Sequence, residues 1–339
     1  MSKKKILLTG GAGYIGAHTA VELIQQNYDV VLIDDLSKSD DSLLKGLEKI
    51  VNQKINFAKG DCKDKIFLDE LFSKEKFDSV IHFAAYKSVG ESVQLPLMYY
   101  ENNLLSMTTL LATMQKHDVN EIIFSSSCTV YGQPDVIPVD ESAPFKRAES
   151  PYGATKQMCE RILEDAIVAN KNLKVISLRY FNPVGAHPSA LIGELPIGVP
   201  NNLVPYVTQT AIGIRQKLVV FGDDYNTVDG SCVRDFIHVV DLAQAHVKAV
   251  EKINEMPTHN EAFNLGTGEG VTVLALIKKF VEATGVKLNY EIGPRRPGDV
   301  EKTYANPAKA KKLLGWQTKL SLEDSLKDAW KWEQRLANK

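Results

Sequence analysis

Short apolar runs alternate with longer stretches of helical character through the first half of the chain. Residues 6–9, 30–33, 79–83, 121–126 and 174–180 are rich in Ile, Leu, Val and Phe and read as strands buried on both faces. Segments 13–26, 96–116 and 151–170 have the length of helices. Parallel strands need crossover connections, and helices supply them. The expected fold is therefore α/β, a doubly wound parallel sheet with helices on both faces.

Beyond about residue 181 the texture changes. Pro and Gly cluster in Asn182-Pro183-Val184-Gly185-Ala186-His187-Pro188 and again across 193–200, which reads as long, structured loops over a cleft. Helical patterns return at 241–252 and 271–284, and 322–335 reads as a closing helix. The expected organisation is one unit over 1–180 and a second, smaller α/β unit over 181–339. Part of 233–270 is the segment expected to cross back to the first sheet, if any does. The sequence has no internal repeat and no low-complexity segment.

The 339 residues are 44% hydrophobic and 24% charged, the balance of an ordinary globular protein. A formal net charge of −2 supplies no basic field, which argues against a nucleic-acid partner. Cys62, Cys128, Cys159 and Cys232 show no metal-ligand spacing, so reduced thiols are expected and neither a metal site nor a disulfide frame. The basic start Lys3-Lys4-Lys5 is followed by an apolar run too short for a secretion signal, and no stretch has the length of a membrane span. A soluble, cytoplasmic protein is expected.

Candidate chemistry begins at Thr9-Gly10-Gly11-Ala12-Gly13-Tyr14-Ile15-Gly16, between the first strand and the first helix. Gly10, Gly13 and Gly16 allow a tight turn, close approach of backbone to a pyrophosphate, and close packing of helix on strand. The helix N-terminus then offers amide donors to the anion. This is the Rossmann-like arrangement for a dinucleotide. Asp34 and Asp35 end the second strand, eighteen positions after Gly16. Carboxylates there accept hydrogen bonds from ribose hydroxyls and repel a 2′-phosphate, which favours NAD over NADP. Asp61 and Cys62 follow a third extended stretch, within reach of an adenine edge.

Tyr152 and Lys156 lie four residues apart at the start of a helix and so share one face. A phenol ionises near pH 10. Bringing it to neutrality takes about 4 kcal/mol of differential stabilisation, which a lysine ammonium and a positive nicotinamide ring together are suited to supply. Ser127 stands at the carboxyl end of the 121–126 strand, where such sheets hold ligands, and its hydroxyl is suited to a sugar oxygen.

The glycine loop, Ser125-Ser126-Ser127-Cys128-Thr129-Val130-Tyr131-Gly132 and Pro151-Tyr152-Gly153-Ala154-Thr155-Lys156 together resemble the extended short-chain dehydrogenases. His82-Phe83-Ala84-Ala85-Tyr86-Lys87-Ser88, Arg179-Tyr180-Phe181-Asn182-Pro183-Val184-Gly185, Pro200-Asn201-Asn202-Leu203 and Val233-Arg234-Asp235-Phe236-Ile237-His238 resemble, more narrowly, the UDP-glucose 4-epimerases. The resemblance runs from Gly10 to about Asp299. It implies an NAD-binding unit over 1–180 and a nucleotide-sugar unit over 181–339. It implies NAD contacts at Tyr14, Ile15, Asp34, Asp35, Leu36, Ser37, Lys38, Ser39, Asp61, Cys62, Phe83, Ala84, Ala85, Tyr86, Lys87, Asn102, Ser127, Tyr152, Lys156 and Phe181. For the UDP-hexose it implies Ser127, Tyr152, Asn182, Asn202, Leu203, Val219, Phe221, Arg234, Arg296 and Asp299. The implied reaction is reversible oxidation at the sugar's C4 by a retained NAD, with Ser127, Tyr152 and Lys156 catalytic. Four residues after Asp299, the family's gate beside the sugar's C2 substituent falls on Thr303, small enough to suggest that N-acetyl sugars also enter.

Two rivals stand against this. A 4,6-dehydratase needs an Asp-Glu pair where this chain has Cys128-Thr129-Val130; a silent NAD-sensing protein has no need of Tyr152 and Lys156. Cys128 departs from the family's usual alanine. His82, His187 and His238 are scattered and read as structural. The 96–114 segment carries Leu97, Tyr100, Leu104, Met107, Leu111 and Met114 on one helical face and Met98, Leu105 and Ala112 elsewhere, a width that, with the family's habit, suggests a homodimer.

Overall fold

The computed structural model describes residues 3–296 and 300–338. Its principal sheet has seven parallel strands in the order β11-β6-β5-β4-β1-β2-β3. These are β1 (Lys5–Thr9), β2 (Asp29–Asp34), β3 (Asn56–Lys59), β4 (Ser79–His82), β5 (Glu121–Ser127), β6 (Lys174–Tyr180) and β11 (Asn260–Leu265). The chain winds outward from β1 to β3, then returns to place β4 on the other side of β1. The reversal leaves a crevice beyond the carboxyl ends of β1 and β4.

The strands carry almost unbroken apolar sequence because both faces are covered. On one face lie α1 (Tyr14–Gln25), α2 (Ser42–Val51) and α8 (Val239–Lys252). Ile6, Leu8, Leu32 and Ile176 pack there with Val21, Leu47 and Leu242. The opposite face is covered by α3 (Lys65–Lys74), α5 (Pro96–Lys116) and α6 (Pro151–Ala169), where Leu7, Val31, Val80 and Ile122 meet Phe72, Met107, Leu110 and Leu163. A short α4 (Val89–Gln94) precedes α5.

After β6 the chain leaves the sheet, returns through α8 and β11, and leaves again. β11 pairs with β6 along its whole length, so 239–265 contributes a helix and an edge strand to the first sheet. The remaining elements form a smaller body. They are β7 (Asn182–Val184), α7 (Leu203–Ala211), β8 (Leu218–Phe221), β9 (Val233–Arg234), β10 (Phe236–His238), β12 (Val271–Thr272), α9 (Val273–Thr284), β13 (Tyr290–Gly293), β14 (Lys302–Thr303) and α10 (Leu322–Ala337). Their core gathers Val204, Val207, Leu218, Val220, Leu276, Phe280 and Leu326.

The helix expected over 271–284 begins two residues later. Val271 and Thr272 pair antiparallel with β9, and the Thr272 hydroxyl caps α9 by accepting the Ala275 amide at 3.1 Å. The apolar face expected on α5 is also only partly exposed. Met107 and Met114 are buried beneath the sheet, and Leu97 and Leu105 face outward.

Candidate active site

The glycine loop leaves β1 at the crevice. Gly10 has φ +68°, a left-handed backbone, and a Cβ there would come within 2.8 Å of the Ala84 amide nitrogen. At Gly16 a Cβ would stand 2.4 Å from the Gly10 carbonyl oxygen, so glycine lets α1 press against its own loop. No side chain caps α1, and its first turn holds no acidic residue. Its leading amides therefore remain suited to an external anion.

Asp34 ties this loop to the next. Its carboxylate accepts the Ala12 amide at 3.1 Å, the Leu36 amide at 2.9 Å and the Ser39 hydroxyl at 2.9 Å. Burial raises its pKa, with those hydrogen bonds opposing. Asp35 instead accepts the amide and hydroxyl of Ser37 in an exposed turn. Lys38 lies over the Tyr86 ring and pairs with Glu91. Asp61 pairs with Lys63, whose ammonium also donates to Asn102 at 2.6 Å. Cys62 is buried, its thiol pushed up to about 12 by desolvation. Together the bare helix end, the two glycine contacts and the Asp34 carboxylate fit a dinucleotide whose ribose carries free hydroxyls.

Phe83 to Lys87 run across the mouth of β4, where Phe83 packs on His246. Phe181 follows β6, its ring buried with Val130, Tyr131, Val139 and Ala305.

The reactive group is assembled where β5 meets α6. Ser150 caps α6 by accepting the Gly153 amide at 3.2 Å, and Pro151 fixes the first turn. This places Tyr152 and Lys156 beside the end of β5. The Ser127 hydroxyl, which acts on the Tyr152 phenol in favour of its ionised form, accepts the Thr129 amide at 3.2 Å. Lys156 is buried and donates to the Ser125 carbonyl at 2.5 Å, with its nitrogen 5.9 Å from the centre of the Tyr152 ring.

The lowering of the Tyr152 pKa is expected from a lysine ammonium and a nicotinamide ring acting together, and the Lys156 ammonium alone does not produce it. Burial pushes the phenol up to about 12, against the Ser127 hydrogen bond, and burial brings Lys156 down to about 8. Desolvation disfavours both charged forms here, and ionising Tyr152 calls for further positive charge.

The substrate candidates lie on or beside elements of the smaller body. Asn182 opens β7 with its buried Oδ1 lacking a hydrogen-bond partner, and the Thr129 hydroxyl is in the same condition. Such atoms are suited to a bound polar molecule. Arg234 and Thr303 are register partners on β9 and β14, and Arg234 donates to the carbonyls of Val233 and Val300. Val219 and Phe221 lie on β8, with the Arg296 guanidinium 5.5 Å from the centre of the Phe221 ring. Asn202 donates to Glu194 at 2.6 Å and directly precedes Leu203, the first residue of α7. Asp299 lies outside the described residues.

The histidines have structural partners. Buried His82 bonds the Thr9 hydroxyl at 2.7 Å. His238 caps α8 through Nδ1, and its Nε2 faces Asp328 at 3.4 Å. The His187 ring shares a hydrogen bond with Ser189. Among the described residues no His/Cys/Asp/Glu group is arranged to hold a metal, and no helix is long and apolar enough to cross a membrane.

A family model described as GDP-mannose 4,6 dehydratase matches residues 7–329. A UDP-glucose 4-epimerase of Bacillus subtilis (strain 168) is 49% identical, over 98% of this chain and 98% of its own. The chain belongs to the UDP-glucose 4-epimerase family. A relative of the same description from Dictyostelium discoideum is 49% identical over 97% of this chain and 95% of its own. In three dimensions the chain is similar to the UDP-glucose 4-epimerase of Bifidobacterium longum in complex with NAD+ and UDP. That structure has a TM-score of 0.95 and 44% identity, covering 99% of each chain.

Behind this epimerase-family site stand residues that the motifs did not reveal. Asn103 accepts the Tyr86 amide at 2.8 Å and donates to the Tyr86 carbonyl and the Thr155 hydroxyl, strapping the 83–87 loop to α6. Glu160 accepts the Ser126 hydroxyl at 2.5 Å and Nε and Nη2 of Arg179, whose Nη1 donates to the Tyr131 hydroxyl, which in turn donates to Asn264. The available signal was a polar pair, Asn102-Asn103, inside an apolar helix, and a glutamate one turn after Lys156.

Proposed function

We propose that this protein interconverts UDP-glucose and UDP-galactose by reaction at the sugar's C4, using a tightly held NAD, in galactose metabolism. The observation that supports the reading is that Ser127, Tyr152 and Lys156 gather at the carboxyl end of β5, on the sheet edge that also carries the bare N-terminus of α1, in a chain of this family. The α1 amides would hold the pyrophosphate, Asp34 the adenosine ribose, and Lys156 the nicotinamide ribose. Bound there, NAD would supply the hydride acceptor and donor for the sugar's C4.

The chain's own residues do the rest. Ser127 would bridge the sugar's C4 oxygen to Tyr152 and so give the proton a hydrogen-bonded path. Tyr152 receives the hydroxyl proton as the C4 carbonyl forms and gives it back on reduction. Lys156 contributes one of the positive charges that favour the phenolate. Arg234 and Arg296 would hold the diphosphate, their planar forks suiting phosphate oxygens, while the keto sugar turns. A dehydratase reading lacks support at Cys128-Thr129-Val130, which has no carboxylate for the elimination.

Two finer readings accompany this one. Thr303, small and register-paired with Arg234, would leave room for an acetamido group and so admit UDP-N-acetylglucosamine. The exposed Leu97 and Leu105 of α5, with Met158 and Val168 of α6, would form the contact of a homodimer. The direct test is to incubate the purified protein with UDP-galactose, adding no cofactor, and follow the sugar by NMR. Appearance of UDP-glucose supports the reading; unchanged UDP-galactose overturns it.

A further inference from the structure

Glu194 sits where the two halves of the site meet. Its carbonyl accepts the Trp332 indole N–H from α10 at 2.8 Å. At the neighbouring Gly193 a Cβ would stand 2.5 Å from Cγ of the same indole, so this backbone is pinned against α10. The carboxylate, only 12% exposed, faces the seam. One oxygen, Oε1, accepts Asn202 Nδ2 at 2.6 Å and Lys87 Nζ at 3.3 Å. Asn202 stands at the N-cap of α7, yet its side chain makes no capping bond there. Lys87 ends the loop that leaves β4 beside the glycine loop, its ammonium 5.9 Å from the centre of the Tyr14 ring. The Tyr14 hydroxyl donates to the Gly185 carbonyl at 2.7 Å, a second tie from α1 into the loop that carries Glu194.

The geometry points to Glu194 as a positioning residue that couples the cofactor seat to the substrate seat, through a single carboxylate oxygen shared by Lys87 and Asn202. This rests on the epimerase reading, in which Lys87 faces NAD and Asn202 faces the UDP-sugar. The Lys87 ammonium holds that oxygen in place for the Asn202 amide, and the Asn202 bond in turn fixes the start of α7, including Leu203. Such coupling is reciprocal: whatever Lys87 does for UDP through Glu194, UDP does for the cofactor side.

The test is a double-mutant cycle on the holoenzyme with Lys87→Met and Glu194→Gln, reading UDP affinity by calorimetry with nucleotide content verified. Glutamine keeps an acceptor for Asn202 and removes the charge that holds Lys87. Each single variant should weaken UDP binding by at least about 5-fold, the lower end of typical coupling between sites. The double variant should be no weaker than the worse single one. Lys87 has a half-exposed side chain, so Lys87→Met tests the coupling without threatening the fold. An unchanged UDP affinity in Lys87→Met, or effects that multiply in the double variant, overturns the coupling and leaves the epimerase reading intact. If the wild-type holoenzyme itself fails to bind UDP, that reading falls and the coupling falls with it.

Discussion

The Lys156 ammonium lies 5.9 Å from the centre of the Tyr152 ring, and burial drives the two groups' pKa values apart, the phenol up to about 12 and the ammonium down to about 8. At neutral pH the phenol of the chain by itself is therefore protonated, and the ammonium is still largely charged. In the proposed mechanism, a phenol that stays protonated until further positive charge arrives would confine proton loss to a filled site.

Tyr152→Phe removes one hydroxyl and leaves Ser127 bonded to the Thr129 amide. The fold and the bound nucleotide should persist, and turnover of UDP-galactose should fall by about 10²–10⁴-fold. Steady-state kinetics check this; near-normal turnover would remove Tyr152 from the mechanism.

Lys156 gives a pH dependence with a definite sign. Its folded-state pKa, about 8, lies below its ordinary 10.5, so the unfolded chain binds more protons between those values. Stability therefore rises with pH across that window, and the cost of burying the charge is fully present below pH 8. At most about 3 kcal/mol is involved. In nucleotide-stripped protein, Lys156→Met should flatten the rise in unfolding free energy between pH 8 and 10.5. Denaturant titrations with the same slope in both proteins would argue against a buried, proton-shedding lysine.

Cofactor choice follows from Asp34, whose half-buried carboxylate faces the glycine loop. Denaturing the purified protein should release NAD(H), with little NADP(H), as chromatography will show. Gly16→Val should purify with much less nucleotide, because its Cβ meets the Gly10 carbonyl oxygen at 2.4 Å and forces the loop outward, at about 1–3 kcal/mol for overpacking. Full nucleotide content in that variant would mean the loop does not hold the cofactor.

Thr303 shares its register position with Arg234, which places the proposed gate beside a proposed diphosphate ligand. The unmodified protein should epimerise UDP-N-acetylglucosamine. Thr303→Tyr should suppress that reaction selectively and leave UDP-galactose turnover largely intact. Absence of N-acetyl activity in an assay that readily detects UDP-galactose turnover would locate the gate elsewhere.

Five of the seven strands were legible because each is a short apolar run in alternation with helix-length segments; β3, half polar, showed only as an extended stretch, and β11 only as part of a segment that could cross back. The glycine loop and the Tyr152–Lys156 pair were legible because each is local, set by spacing within one turn. What escaped was non-local. The two- to four-residue strands from β7 to β14, apart from β11, are too short to show a period, and they exist because distant segments pair. Asn103 and Glu160 act through partners up to 52 residues away in sequence, contacts that only folding creates. The upward shift of the Tyr152 pKa in the chain by itself was not legible for a related reason. Spacing reveals the lysine, but the dominant influence on the phenol is burial by the assembled fold.

The central claim is that C4 loses and regains the same hydrogen inside one closed site. The most direct measurement supplies UDP-galactose deuterated at C4 to the purified protein in ordinary water, without added cofactor, and follows the product by NMR. The account predicts UDP-glucose that retains deuterium at C4. Product carrying hydrogen from solvent at C4 would contradict it.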